Sequence, residues 1–195
     1  MDNFQLDIRA ALLALSDKGR LLFAAITCVH LYPNYENFVR AFGWGSPQVI
    51  QQTIDEIFLI LKEDRPYSDR QLQHLIDAVD VVIPDTEDFS DIACSQALDA
   101  GVAVLSTLEY IKARDLESVV NVAICARDTV DMFIQVRDDF NSNDPTCESR
   151  IESDYLMVRE KARQELLIKQ LGILKLDTVS DRLIKSLLPQ LPIIE

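Results

Sequence analysis

Apolar residues recur at intervals of three and four along nearly the whole chain, and this spacing restricts the fold more than any other feature. The interval is that of one face of an α-helix, whereas a half-buried strand alternates at every second residue. The pattern therefore predicts an all-α protein with almost no strand. The clearest stripes are Leu21, Leu22, Ala25, Cys28, Val29 and Tyr32; Ile50, Ile54, Ile57, Phe58 and Leu61; and Leu72, Leu75, Ile76, Val79 and Ile83.

The boundaries between the stripes predict eight or nine helices. Ser46-Pro47 starts one helix, because serine caps the free backbone N–H groups and proline fits the first turn. Ser68 and Gln71 have the spacing of a capping box at the start of the next helix. Pro33 is expected to end a helix at Tyr32, because proline disfavours the α conformation in the residue before it.

The segment from about Asp88 to Ala113 is predicted to be the central helix. Its apolar residues occupy more than one face, which is typical of a helix that is buried on all sides. We therefore predict a multi-helix bundle with a central buried helix near Ala100. A long charged helix is expected from about Glu148 to Gln170, with Gly172 ending it.

The length of 195 residues suits a single helical domain covering residues 1–195. The polar stretch Asp138–Asp144 is the clearest loop, so a subdivision into a bundle (1–140) and a C-terminal helical arm (145–195) is also predicted. The tail of the arm is too apolar to leave in water, and we expect it to dock on the bundle or on a second copy. Its apolar residues are Leu183, Leu187, Leu188, Leu191, Ile193 and Ile194.

The formal net charge of −13 restricts the partners. Nucleic acids and anionic membranes bind Lys and Arg, so we predict no nucleic-acid and no membrane partner and favour a basic protein surface. The charge is also segregated: no Lys or Arg occurs between Arg70 and Lys112, whereas basic residues concentrate in the last quarter. The acidic stretch supplies a candidate acidic interaction face, namely Asp77, Asp80, Asp85, Glu87, Asp88 and Asp91.

Three explanations of this segregation stay open. In the first, the basic arm lies across the acidic region of its own chain or of a second copy in a homo-oligomer. In the second, the acidic face is free and meets a basic partner. In the third, the carboxylates from Asp85 to Asp91 only cap the next helix and suit its dipole, and the acidity as a whole serves solubility.

Localisation is predicted from the N-terminus and the cysteines. The first residues lack a basic segment followed by an apolar run, and no stretch is long and apolar enough to span a bilayer. The cysteines are scattered without a CxxC pair, and a free cysteine in an apolar stripe behaves as a small hydrophobe. We therefore expect a cytoplasmic protein with free thiols at Cys28, Cys94, Cys125 and Cys147.

The sequence contains no motif for catalysis, cofactor binding or metal binding. It has no glycine-rich phosphate loop, no GxSxG and no HExxH, so we predict no catalytic residue and no cofactor. His74 lies with Asp77 and Asp80 along one helix, a spacing more typical of a solvated face than of a metal site. His30 lies beside an apolar face and needs one hydrogen-bond partner to be structural.

Aromatic rings, an asparagine and two glycines are concentrated at one helical corner. Asn34 is expected to cap the helix after Pro33, and glycines flank Trp44 so that the backbone can turn. Asp99 interrupts the buried helix, where a carboxylate must be paired, hydrogen-bonded or neutral; a structural bond and a place in a pocket both account for it. The candidate pocket or corner residues are Tyr32, Asn34, Tyr35, Trp44, Asp55 and Asp99, of which Asp55 is expected at the surface.

The same residues carry a family resemblance. The segment Tyr32-Pro33-Asn34-Tyr35 followed by Phe38 resembles the YjaG-like bacterial proteins, domain of unknown function 416. The resemblance implies a helical bacterial protein of about this length and no assigned activity, although that family has Trp more often than Phe at position 58. It covers most of residues 20 to 110 and includes Gly43-Trp44-Gly45, Ile54-Asp55, Phe58, Ile83-Pro84, Asp88-Phe89 and Ala97-Leu98-Asp99-Ala100.

Three functions of different kinds are predicted. The first is a non-enzymatic protein-interaction module that uses the acidic face. The alternative is a small-molecule-binding or enzymatic helical protein with a pocket near Tyr32, Asn34, Trp44 and Asp99, and a structural homodimer is the third. A concave polar cavity at the corner would favour the pocket, and a filled corner would favour the interaction module.

Overall fold

The computed structural model describes residues 3–63, 67–140 and 145–194. Within these ranges it contains nine helices and no strand, which confirms the predicted all-α bundle. None of the nine is long and apolar enough to cross a membrane. The helices are α1 (Asn3–Leu13), α2 (Asp17–Phe42), α3 (Pro47–Glu63), α4 (Asp69–Asp80), α5 (Ile92–Ala113), α6 (Leu116–Arg137), α7 (Cys147–Ser153), α8 (Tyr155–Ile173) and α9 (Asp181–Leu187).

The helix α5 is the centre of the bundle, as the sequence predicts. It packs against α2, α3, α4 and α6, and Ala100 near its middle is 1% exposed. It starts at Ile92 rather than at the predicted Asp88, because Asp91 caps it by accepting a 2.8 Å hydrogen bond from the N–H of Ala93. The loop before α5 is therefore longer than the periodicity suggests.

The predicted helix end at Tyr32 is wrong, because α2 runs unbroken through Pro33. A proline inside a helix removes one backbone hydrogen bond and crowds the carbonyl four residues earlier, here that of Val29. Pro33 is exposed, so water can bond to that carbonyl, while Leu31 and Tyr35 on either side are fully buried. Burial on the inner face therefore holds α2 together despite the proline.

This continuity also changes the role of Asn34. It lies in the interior of α2 at 4% exposure, so the predicted helix cap at Asn34 is wrong. Its side-chain nitrogen Nδ2 has no hydrogen-bond partner among the described residues. The helix ends instead at Gly43, where φ is 66° and the N–H bonds to the carbonyl of Val39 at 2.8 Å.

The remaining boundaries follow local capping chemistry. The capping box of Ser68 and Gln71 is present at the start of α4, and Pro47 is the first residue of α3. The predicted helix from Glu148 to Gln170 is two helices, because Asp154 is extended and caps α8 through the N–H of Leu156 at 2.8 Å. The predicted stop at Gly172 is wrong by one residue, since α8 ends at Ile173.

The C-terminal tail docks on the chain's own bundle, one of the two predicted arrangements. Ile184 and Ile193 are 8% and 3% exposed. The guanidinium of Arg159 in α8 donates hydrogen bonds to the carbonyls of Pro192 and Ile193 at 2.8 and 2.9 Å. Of the predicted loop, residues 138–140 lie outside any helix, and residues 141–144 lie outside the described part of the chain.

All four cysteines are free thiols, as the sequence predicts. Cys28, Cys94 and Cys125 are buried, and Cys147 is half-buried. Burial raises the pKa of the Cys28 thiol to about 12, although a hydrogen bond with Thr107 lowers it. The buried thiols therefore act as small core residues rather than as nucleophiles.

Candidate functional site: an acidic aromatic end of the bundle

Four aromatic rings meet where α2 ends and where the loop between α4 and α5 returns to the bundle. Phe38 is fully buried, and the ring centroids of Phe42, Trp44 and Phe89 lie 5.1, 6.2 and 5.1 Å from its own. Phe89 meets Phe38 edge to face at 89°, a favourable arrangement of two rings. Phe42 and Trp44 are 40% and 37% exposed, so the cluster is anchored in the core and open to solvent.

Two glycines set the turn that presents Trp44, as predicted. Gly43 and Gly45 have φ values of 66° and 95°, in the left-handed region that side chains disfavour. A Cβ atom on Gly45 would lie 2.5 Å from the hydroxyl oxygen of Tyr35. Glycine at position 45 therefore allows the turn to approach Tyr35 closely.

The hydroxyl of Tyr35 joins this turn to the loop between α4 and α5. It donates a hydrogen bond to the carbonyl of Val82 at 2.5 Å and accepts one from the N–H of Ser46 at 3.1 Å. Burial raises the pKa of the Tyr35 phenol, so the hydroxyl keeps the proton that it donates. Because Tyr35 and Phe38 are both fully buried, the corner is filled rather than hollow.

Three further contacts hold the loop of residues 81–91 against the bundle. Ile83 covers Gly101 of α5 so closely that a Cβ atom on the glycine would lie 2.5 Å from Cγ1 of Ile83. The thiol of Cys94 donates a 3.5 Å hydrogen bond to the carbonyl of Asp85, and Phe89 packs on Phe38. The backbone of the loop is thus fixed by apolar and main-chain contacts.

The carboxylates of this loop point to solvent and have no cation partner among the described residues. The side chains of Asp85 and Asp91 accept hydrogen bonds only from main-chain N–H groups, those of Glu87 and Ala93, at 2.9 and 2.8 Å. Capping thus accounts for Asp91 but not for Glu87 or Asp88. We call this surface the acidic aromatic end; it consists of Asp80, Asp85, Glu87, Asp88 and Asp91 with Phe42, Trp44 and Phe89.

Where cations of the C-terminal arm form ion pairs, their carboxylate partners lie away from the acidic aromatic end. Arg163 pairs with Glu160 at 2.6 Å, and Lys161 pairs with Glu152. No ion pair of the described residues joins the arm to the acidic aromatic end. The arm therefore does not neutralise the acidic region of its own chain, and a basic partner or a second copy stays a prediction.

The other predicted corner residues lie on α2 and α3. The hydroxyl of Tyr32 bonds to the carboxylate of Glu36 at 3.2 Å. Burial, together with the charges of Glu36 and Asp55, raises the pKa of Tyr32 to about 12. Asp55 is exposed, as predicted, and accepts a 3.0 Å hydrogen bond from Gln51. Tyr32, Glu36 and Asp55 are neighbours, but neither they nor Trp44 line the clefts that α1, α4, α6 and α8 form in the described part of the chain.

Asp99 lies apart from the corner, on the side of α5 that faces α6. Its carboxylate accepts a 2.8 Å hydrogen bond from the hydroxyl of Thr129. Burial raises the pKa of Asp99 to about 7, although the Thr129 bond lowers it. With Asp128 and Asp131 it lines a shallow cleft that contains none of the other predicted corner residues. Among the described residues, no group of His, Cys, Asp and Glu side chains is arranged to hold a metal ion.

Two of the aromatic residues at this site were not predicted from the sequence. Phe42 only continues the apolar periodicity of its helix. Phe89 lies between Asp88 and Asp91, and an apolar ring in the middle of an acidic stretch is the signal that could have identified it. The ring contacts of Phe89 make the two predicted features, the aromatic corner and the acidic face, one continuous surface.

Comparison with known proteins places the chain in a family. No curated protein matches it. A solved DUF416 family protein from Shewanella baltica OS155 has the same fold, with a TM-score of 0.81 at 22% sequence identity over 96% of this chain and 91% of that chain. The family model described as Protein of unknown function (DUF416) matches residues 7–191. The YjaG-like label stays a prediction, but the match over nearly the full length confirms the resemblance: the chain belongs to the DUF416 family.

Proposed function

We propose that the protein is a non-enzymatic interaction protein whose acidic aromatic end binds a basic, partly apolar segment of another protein. One observation carries the proposal: a loop that is held in place presents exposed carboxylates with no cation partner among the described residues, and its Phe89 ring contacts the half-exposed rings of Phe42 and Trp44. Opposite charge would bring a basic segment to this surface, and the rings would supply the apolar contact.

The rings suit such a role. Aromatic side chains dominate the binding energy of many interfaces, and Trp44 and Phe42 are exposed enough to be covered by a partner. A Lys or Arg of the partner could also lie over the face of Trp44, where the cation and the ring attract each other. Because the loop is already fixed, binding would cost little ordering of this surface.

The filled corner favours this proposal over the predicted pocket. Tyr35 and Phe38 occupy the space between the turn and the loop, and Asp99 lies toward α6. A cytoplasmic location is part of the proposal, because the reducing cytoplasm keeps free thiols such as Cys147 reduced.

The single tryptophan makes the proposal testable by fluorescence. Trp44 is the only tryptophan of the chain, so its emission reports on the acidic aromatic end alone. We expect an amphipathic peptide of alternating lysine and leucine residues to shift or quench the Trp44 emission, and a glutamate–leucine peptide of the same length to leave it unchanged. The response should weaken as NaCl is raised, because salt screens exposed charges.

Two charge-matched variants decide whether the acidic aromatic end is responsible. The acidic-end variant carries Asp85→Asn, Glu87→Gln and Asp88→Asn, and should lose about 10-fold or more in affinity for the lysine–leucine peptide. The control variant neutralises three exposed carboxylates elsewhere and should bind as the wild type does. An equal loss in both variants, or no emission change with the wild type, contradicts the proposal. The control substitutions are Asp7→Asn, Glu109→Gln and Glu148→Gln.

A further inference from the structure

A second concave surface lies between α8 and the C-terminal segment 186–192. The cleft has a volume of about 420 Å³, and we call it the tail cleft. Leucine side chains form much of its apolar lining, among them Leu166 and Leu191, which are 57% and 60% exposed. Ionisable groups also reach it, namely His30, Arg159, Glu160 and Arg163.

The carboxylate of Glu160 is fully occupied within the protein. Arg163 binds both of its oxygens, with Nε at 2.7 Å and Nη2 at 2.6 Å, and Gln164 donates to it at 2.9 Å. Nε2 of His30 lies 3.4 Å from the same carboxylate, which gives His30 its predicted structural partner. Burial raises the pKa of Glu160, but the charge and hydrogen bonds of Arg163 outweigh it and lower the pKa to about 2. Glu160 is therefore ionised and already balances Arg163.

Arg159, in contrast, bonds to neutral groups through its guanidinium. Its Nη2 donates to the carbonyls of Pro192 and Ile193, and its guanidinium lies 5.5 Å from the ring centre of Tyr155. No carboxylate of the described residues pairs with it. Burial first, and the nearby charges of Arg163 and Arg159 in addition, lower the pKa of His30, so the imidazole adds no charge of its own at neutral pH. The described residues that line the tail cleft therefore carry one net positive charge, in a protein of net charge −13.

We propose that the tail cleft binds a small organic carboxylate with an apolar body. The guanidinium of Arg159 and the remaining Nη1 group of Arg163 would hold the carboxylate, since guanidinium groups match its geometry and charge. Leu166, Leu187 and Leu191 would cover the apolar body. A volume of about 420 Å³ lies in the range of clefts that hold small molecules.

This site is separate from the acidic aromatic end in residues and in charge. The tail cleft is positive and apolar, whereas the acidic aromatic end is negative and aromatic, so the two attract different ligands. A failure of peptide binding at Trp44 would leave this inference standing, and the reverse also holds. The net negative charge disfavours anion binding over the rest of the surface. A small anion should therefore bind at the positive tail cleft rather than elsewhere on the protein.

The test is calorimetric titration of the full-length protein with phenylacetate and, as a neutral match, phenylacetamide. We expect saturable binding of phenylacetate with a Kd below about 1 mM, and binding of phenylacetamide weaker by about 10-fold or more, because the amide lacks the charge that Arg159 and Arg163 would hold. Phenylacetate that does not saturate, or that binds no better than the amide, overturns the inference.

Two substitutions locate the site. Arg159→Gln keeps a donor for the tail carbonyls but removes the charge, and should weaken phenylacetate binding by about 10-fold or more. Arg182→Gln removes one exposed charge of α9 outside the cleft and should leave the affinity unchanged. Equal effects of the two variants contradict the proposed site.

A rim variant covers the case in which Arg159→Gln unfolds. Leu191 is 60% exposed, so Leu191→Glu should fold, and its carboxylate should repel phenylacetate, whereas Leu191→Gln should bind it. Equal binding by both rim variants overturns the inference. A second result would also overturn the inference: the wild type is a dimer, Leu191→Glu is a monomer, and neither binds phenylacetate. A second copy of the chain would then occupy this face.

Discussion

Asp99 lies in the middle of α5 with its carboxylate bonded to Thr129 and partly removed from water. Burial raises its pKa to about 7 from an ordinary value of 3.8. Between these values the unfolded chain releases the proton and the folded protein keeps it. The contribution of Asp99 to stability is therefore fully present below about pH 4 and is lost as the pH rises through about 7.

The substitution Asp99→Asn should remove this pH dependence. We expect the variant to gain free energy of unfolding relative to the wild type by about 1–3 kcal/mol between pH 4 and pH 8, since one pKa unit corresponds to about 1.4 kcal/mol and the remaining exposure screens part of it. Urea unfolding at both pH values measures the difference. Asp55→Asn, which removes an exposed carboxylate, controls for the loss of one charge. If the difference in free energy of unfolding between Asp99→Asn and the wild type is the same at both pH values, the raised pKa of Asp99 is contradicted.

At the scale of single residues, the sequence predicted the environment of a side chain better than its hydrogen-bond partner. A carboxylate in an apolar helix had to be bonded or neutral, and Asp99 is bonded. That its partner is Thr129, 30 positions later, depends on how α5 and α6 lie against each other, which residue spacing does not encode. Asn34 was misassigned for a related reason: its capping chemistry is real, but its position within α2 is set by burial.

At the scale of the helices, prediction succeeded where the chemistry is local. The capping box of Ser68 and Pro47 at the start of α3 depend on neighbours in sequence, and both are present. The prediction of helix boundaries failed where tertiary packing and the local conformational preference of the residues disagree. Pro33 disfavours a helix locally, yet the buried side of α2 continues through it, whereas the extended backbone of Asp154 divides a segment whose apolar period is continuous.

The unbroken α2 gives a prediction about Pro33. Alanine at this position would restore an N–H for the carbonyl of Val29 and remove the crowding of the proline ring. Proline costs a helix interior about 3 kcal/mol relative to alanine, while its stiffening of the unfolded chain returns about 0.4–1 kcal/mol. We therefore expect Pro33→Ala to raise the free energy of unfolding by about 2–3 kcal/mol in urea. As a control, Pro84→Ala at a buried loop position should lower the free energy of unfolding. A lower free energy of unfolding for Pro33→Ala would contradict the prediction, because proline would then stabilise α2.

At the scale of the whole molecule, charge is distributed unevenly. In the C-terminal arm, Lys161 and Arg163 pair with the nearby carboxylates of Glu152 and Glu160, while the carboxylates of the acidic aromatic end have no cation partner among the described residues. The sequence predicted the segregation from the gap in Lys and Arg between Arg70 and Lys112. It could not predict that Phe89 would fold onto Phe38, because that contact joins segments about 50 residues apart.

Carboxylates that are held close together without cations repel one another, and this repulsion opposes folding. Salt screens it, so the urea midpoint of the wild type should rise as NaCl is increased from about 10 mM to about 300 mM. The acidic-end variant, with Asp85→Asn, Glu87→Gln and Asp88→Asn, should have a higher midpoint at low salt and a smaller rise. Asn at position 85 keeps the oxygen that accepts from Glu87, so the loop itself is preserved.

The control variant with Asp7→Asn, Glu109→Gln and Glu148→Gln changes the net charge equally, but its sites are spread over α1, α5 and α7 and should give a smaller effect. If both variants shift the midpoint alike, net charge alone is responsible and the clustering is immaterial. The acidic-end variant is also to be compared with the wild type in both stability and binding. If it is the more stable protein and also fails to bind the lysine–leucine peptide, then these carboxylates destabilise the fold and are needed for binding. Residues that a fold keeps at the expense of its own stability are those that a binding surface needs.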